Sequence, residues 1–244
     1  MNTTPITTLW TRASVLAATL FGLGLAASAG PITYTDDFNR VGSDSLGTNW
    51  TSGLYSYVVR NNQATTLYSS GAGPYVTSYV GVDLGSGAFT VQADVMITGS
   101  ASIGNGEHVG LIFNYQNDSN YNVVRWTNSA SDPWGNLQAG YVKNGSYNIP
   151  GTGLYTAFTG SEPTGSLKTI TVSGDGAGNY TLAIGSSTWN FSETEFTGGG
   201  AGLYISNVHG EGSVIFDNFA LTVPEPASLG LLALGGLALP RRRR

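Results

Sequence analysis

Apolar residues recur at every second position along much of this chain, and that period leaves little choice of fold. Phe89, Val91, Ala93, Val95 and Ile97 fall on one side of an extended backbone, with Thr90, Gln92 and Asp94 on the other. Side chains alternate across a strand, so a run of this kind buries one face and wets the other. Val109, Leu111, Phe113 and Tyr115 repeat the pattern. The turn Asn117-Asp118-Ser119-Asn120 leads into a further strand, Tyr121 to Thr127. Its residues hydrogen-bond their own backbone and tolerate tight curvature. Further runs follow over 137–142, 167–172, 180–184, 202–206 and 213–223. The glycine-rich stretch 174–179 joins two of them as a hairpin. No segment holds a helical period. About eleven or twelve strands in one domain predict an all-β fold, a two-sheet antiparallel β-sandwich. No internal repeat is strong enough to suggest a propeller or solenoid.

The two ends read differently. Arg12 precedes a mostly apolar stretch over 13–25, and Ala27-Ser28-Ala29 follows. A positive residue, an apolar run and small residues in that order are read as a signal peptide cut between Ala29 and Gly30. At the other end Pro224-Glu225-Pro226 cannot continue a strand. The apolar run Ala227–Leu239 comes next, then Pro240 and the cluster Arg241, Arg242, Arg243 and Arg244. That run is short against the ~20 residues of a membrane-spanning helix, which suits a transient anchor, and the arginines would stay on the cytoplasmic side. This ordered triad resembles the PEP-CTERM sorting signal of Gram-negative bacteria. The resemblance implies an exosortase-type sorting enzyme as partner, passing contact with the inner membrane, and a destination at the cell surface or in the extracellular matrix. The expected organisation is therefore 1–29 signal peptide, 30–222 β-sandwich and 223–244 sorting signal.

A middle portion of this length can bury a core without staples, so the absence of cysteine is no obstacle in an oxidising compartment. Without the two ends the charge is about −9, which argues against a polyanion such as nucleic acid as partner.

Three passages carry a second resemblance. They are Asp36-Asp37-Phe38-Asn39-Arg40 with Leu46-Gly47-Thr48-Asn49-Trp50, then 109–115 through 120–124, then Ala201-Gly202-Leu203-Tyr204 with Val214 to Phe219. Their order and spacing resemble concanavalin A-like, laminin-G-like jelly rolls. Many members bind sugars, some bind proteins, and some are glycoside hydrolases.

The residues speak against hydrolysis. A retaining glycosidase needs two carboxylates about 5 Å apart. The family's Glu-x-Asp-x-x-Glu strand has no counterpart here, and the nearest pair, Glu193 and Glu195, falls in a loop or strand edge. There is no cysteine and no Gly-x-Ser-x-Gly elbow. Glu107-His108 and His209-Gly210-Glu211 lie in glycine-rich loops and lack zinc spacing. The jelly-roll resemblance implies one structural calcium between the first and last strands, at Asp37 and Asp217, with Asp36 as a substitute. Asp217 shares a strand face with Ile215 and Phe219 in a regular strand, where a carboxylate needs exposure, a hydrogen bond or a cation.

Sugar rings stack their C–H faces on aromatics. Trp134, Trp126, Tyr121 and Tyr141 are the candidate stacking residues, with Tyr147 nearby and Arg125 as hydrogen-bonding neighbour. The expectation is a non-catalytic jelly-roll module binding extracellular polysaccharide. The alternatives are a structural matrix protein without a specific ligand, and a glycoside hydrolase or lyase with a non-standard site.

Overall fold

The computed structural model describes residues 30–52, 57–66, 76–98, 107–127, 137–149, 155–156, 165–206 and 212–224. They form sixteen strands and no helix. In chain order these are β1 (Ile32–Asp36), β2 (Trp50–Ser52), β3 (Tyr57–Arg60), β4 (Gln63–Thr66), β5 (Val76–Val80), β6 (Phe89–Ile97), β7 (His108–Asn117) and β8 (Asn120–Thr127), followed by β9 (Leu137–Lys143), β10 (Ser146–Asn148), β11 (Tyr155–Thr156), β12 (Lys168–Gly174), β13 (Asn179–Ile184), β14 (Ser187–Ser192), β15 (Gly200–Ser206) and β16 (Val214–Val223). Two eight-stranded sheets result. Sheet A runs β14-β13-β12-β6-β16-β4-β3, with β1 also on β16. Sheet B runs β10-β9-β8-β7-β15-β5-β2, with β11 also on β9. Every pairing is antiparallel. The strand period thus delivered the two-sheet sandwich it predicted. The strands that no run foretold are two to six residues long, too short to show a clear period.

The inner faces meet in one core. Sheet A supplies Val91, Val95, Val172, Leu182, Phe216 and Leu221, and sheet B answers with Val109, Leu111, Val124, Trp126, Leu203 and Ile205. β6 alternates buried and half-buried positions along its whole length, as its sequence requires.

β16 breaks the alternation once. Asp217 pairs with Asp94 and Ala220 with Gln92, so one extra residue is inserted, with Asn218 at φ 49°. This bulge turns Phe216 and Phe219 into the core together. It corrects the expectation that Asp217 and Phe219 share a face: Asp217 points outward beside Asp94, and its carboxylate accepts the Asn218 amide at the bulge.

A polar floor on the outer face of sheet B

Sheet A has one dry face and one wet face, whereas the centre of sheet B is dry on both. All positions of β8 from Tyr121 to Thr127 and all of β15 are buried. On the side away from the core, Ile112, Tyr115, Tyr121, Val123, Val142 and Tyr204 form a second cluster. Tyr79 and Tyr147 pack against it. Tyr79 stacks on Tyr115 at 4.2 Å between ring centroids.

Beside this cluster the face turns polar. Arg125 is 7% exposed. Its Nε donates to Gln138 Oε1 at 2.8 Å and its Nη1 to the Tyr204 hydroxyl at 3.2 Å. The Tyr147 ring lies over the guanidinium, 3.8 Å from its carbon, a cation–π contact.

The register explains the assembly. Gly110 stands opposite Arg125 on one side and Tyr204 on the other. With no side chain between them, arginine and tyrosine meet across β7. A Cβ at Gly110 would collide with the Val124 carbonyl oxygen. Gly140 opens the second approach, since a Cβ there would collide with the Asn148 carbonyl and lie 3.3 Å from the Tyr147 hydroxyl.

One row along the strands, Ser206, His108 and Thr127 stand opposite one another. All three are buried, as is Glu107. The Ser206 hydroxyl has no hydrogen-bond partner among the described residues. Buried polar groups cost free energy unless bonded, and here Arg125, Gln138 and Tyr204 bond one another. A fixed guanidinium, an amide, hydroxyls and aromatic rings together suit a ligand rich in hydroxyl or carboxylate oxygens.

The expected binding residues divide by parity. Tyr121 and Arg125 point to the outer face of β8. Trp126 points inward and is wholly buried in the core. This corrects its assignment to ligand stacking: residues one apart on a strand face opposite ways. Tyr141 is half-buried and sets its ring edge-on to Phe196 at 6.2 Å. By register it shares the inward parity of Leu137 and Ala139, away from Arg125. Tyr121 is itself fully buried in the second cluster, beneath the reach of a stacking sugar. Trp134, His209, Glu211, Ala27, Ala29, Glu225, Pro226 and Arg241, Arg242, Arg243 and Arg244 lie outside the described residues, while Pro224 is exposed at the end of β16. Sequence reasoning missed Gln138, Tyr204, Ser206 and Thr127. Their only signal was a polar residue where the second face of a strand should be wet. His108 belongs to β7 and is buried, not set in a loop as expected.

The carboxylates are spoken for by hydrogen bonds. Asp36 takes both guanidinium nitrogens of Arg40 at 2.7 and 3.0 Å and the indole N–H of Trp50 at 2.8 Å. Asp37 accepts the Asn39 amide at 3.0 Å. Asp94 accepts from Thr169 and Asn218, and Asp217 from the Asn218 amide. Burial, opposed by the Asn218 and Gln63 hydrogen bonds and reinforced by the charges of Asp94 and Asp37, raises the Asp217 carboxyl above its usual range. Among the described residues no three acidic or histidine side chains gather as metal ligands.

Glu193 lies just past the end of β14, the loop or strand edge expected, but it is buried. It is 6% exposed, and its Oε2 has no partner among the described residues. Glu195 instead pairs with Lys143 at 2.7 Å. A shallow open depression crosses the outer face of sheet A between Ser173, Thr181 and Asn190. Its hydroxyls and amides already bond one another, Thr90 to Ser173 at 3.0 Å and Thr181 to Asn190 at 2.9 Å. The floor on sheet B is the better candidate because it holds a fixed guanidinium beside an aromatic ring.

No family model matches the chain, and no curated protein is significantly similar to it in sequence. Solved structures match its shape. A Bacillus subtilis protein of unknown function with a galectin-like fold aligns with a TM-score of 0.57 at 10% identity, covering 81% of this chain and 99% of its own. A lectin from Bauhinia forficata in complex with GalNAc aligns at 0.52 and 12% identity, covering 79% and 98%. An endo-1,3-beta-glucanase from Streptomyces sioyaensis aligns at 0.53 and 14% identity, covering 81% and 98%. At these identities the likeness shows the fold alone, a jelly-roll sandwich of the galectin and lectin type.

Proposed function

We propose that this chain is an exported, non-catalytic jelly-roll module that binds extracellular polysaccharide on the outer face of sheet B. One observation carries the reading: Arg125 is held between Gln138, Tyr204 and the Tyr147 ring on a buried polar floor. The fold's likeness to lectin domains supports it, since one such neighbour was solved with a bound sugar. Arg125 supplies directed N–H donors, Gln138 and Tyr204 orient them, and Tyr147 presents a ring face. In this reading the two ends serve export and sorting, with the Pro-Glu-Pro segment and arginine cluster addressed to an exosortase-type enzyme at the inner membrane.

The test is binding of the intact chain to exopolysaccharide from its host, with calcium and with excess chelator. Saturable binding that falls at least tenfold in Tyr147→Ala and Arg125→Lys, with the far-ultraviolet circular dichroism unchanged, supports the site; lysine keeps the charge and loses the planar fork. Loss of binding in chelator supports the calcium expectation at Asp37 and Asp217. New reducing ends released from the polysaccharide would favour the hydrolase alternative, and no binding in either buffer the structural matrix protein. For the sorting signal, removal of Arg241 to Arg244 should change the cell fraction that holds the chain and its C-terminal mass.

A further inference from the structure

Two buried oxygens at one end of the sandwich lack a donor. The first is Oε2 of Glu193, just past β14. Alternation sets Phe191 and Glu193 on the core side, with Ser192 turned the other way between them. Glu193 Oε1 accepts the Glu195 amide at 2.6 Å. Lys143 is taken up by Glu195, and among the described residues no ion pair reaches Glu193. The second oxygen is Oδ1 of Asn122, a wholly buried residue of β8. Asn122 has the parity of Val124 and Trp126, so it also points between the sheets.

Three groups draw these oxygens to one place. Asn114 holds a φ of 50° where the register of β7 against β8 shifts. Its Nδ2 donates to the Tyr180 hydroxyl at 2.8 Å and to the Phe196 carbonyl at 3.0 Å. Asn122 Nδ2 faces the same carbonyl at 3.5 Å. That carbonyl fixes the Asn122 amide, because the opposite orientation would set oxygen against oxygen. Burial raises the Tyr180 phenol, hydrogen bonds with Asn114 and Asn122 oppose it, and the charges of Glu193 and Asp175 add to the rise. The Tyr180 hydroxyl therefore borders both Asn122 and Glu193.

We propose that Glu193 Oε2 and Asn122 Oδ1 hold a monovalent metal cation between the two sheets, with the Tyr180 hydroxyl and Phe196 carbonyl oxygens beside it. Every donor atom is oxygen, which suits a hard cation. A buried carboxylate is costly unless paired, and one negative charge is balanced by one positive charge. Calcium takes about six to eight oxygens, more than these residues offer. A water molecule or the Tyr180 proton could bond an orphaned oxygen, but neither brings charge. The cation would tie the segment after β14 to β8, and so sheet A to sheet B.

Thermal unfolding of the intact chain tests this in sodium chloride and in choline chloride, at equal ionic strength and with excess chelator. Sodium should raise the melting temperature above that in choline by roughly 3 °C or more at neutral pH. Glu193→Gln should melt alike in both salts. Its advantage over the unaltered chain, which comes from removing a buried charge, should be largest in choline and narrow in sodium. The sodium effect should fade as pH falls through the carboxylate range, where Glu193 is protonated. Glu195, Asp175 and the other carboxylates titrate there too, but they remain in the Glu193→Gln variant and cancel in the comparison. Equal melting of the unaltered chain in both salts overturns the proposal. So does a sodium effect that persists in Glu193→Gln, which would be screening at the surface. A shift that appears with calcium alone and is lost in Glu193→Gln would overturn the monovalent assignment. Glycan binding is not read in this experiment, so its outcome is separate from that of the sheet B site.

Discussion

Asp36 and Glu193 are both acids removed from water, and their neighbours give them opposite effects on stability. Burial alone would raise the Asp36 carboxyl, but the hydrogen bonds from Arg40, Trp50 and the Phe38 amide outweigh it and hold it below the usual range. Burial raises the Glu193 carboxyl, the Glu195 and Thr194 amides oppose it only in part, and the Glu195 charge adds to the rise. A lowered native pKa contributes stability above the unfolded value, lost as pH falls through the native one. A raised native pKa works in reverse: its contribution is fully present below the unfolded value and is lost as pH rises through the native one. Urea unfolding at two pH values separates the two acids. Asp36→Asn should cost about 2 kcal/mol near neutrality, where three donors lose a charged acceptor, and much less in acid. Glu193→Gln should raise the urea midpoint near neutrality and leave it unchanged below the ordinary carboxylate range. An equal gain at both pH values would rule out charge as the cause. Neither role was legible in the sequence. Asp36 and Asp37 are adjacent acids, and only the parity of β1 selects Asp36 for the indole of Trp50.

At the scale of the element, alternation foretold where strands lie but not what covers them. For β6 the reading was complete, because one face meets the core and the other meets water. In β8 the same alternation holds, yet both faces are buried, so Trp126 and Arg125 sit one residue apart with unrelated tasks. The bulge in β16 was invisible because it depends on pairing with β6, not on any local composition. The glycines of sheet B show the same dependence. Gly110 is extended backbone, so its need for glycine comes from the neighbouring strand. Gly110→Ala should destabilise the fold by roughly 1–3 kcal/mol through overpacking and should also separate Arg125 from Tyr204. Differential scanning calorimetry and glycan binding check the two effects. An alanine variant of unaltered melting temperature would mean that β7 and β8 yield at no cost.

For the whole molecule, the pairing of β1 with β16 joins the first and last described strands, Ile32 to Val223. Tyr34, Trp50 and Phe219 pack at this seam, with Trp50 and Phe219 4.8 Å apart. Closing such distant segments has to precede the contacts that reward it, so refolding should run in milliseconds to seconds. Stopped-flow tryptophan fluorescence reads this directly, since Trp50 and Trp126 are both buried. A main phase in microseconds would contradict closure as the slow step. With no cysteine, no slower phase can come from disulfide exchange.

The sequence by itself determined the fold class and the strands β6 to β9, β12, β13, β15 and β16 to within two residues, and the core face of β6, because period two is a local property of extended chain. It also singled out Arg125. Only the tertiary structure decided which strands adjoin, and through that the glycines that let Arg125 reach Tyr204 and Tyr147, and the bulge that turns Asp217 outward. Register and sheet order are relations between distant segments, and no single stretch of sequence encodes its partner.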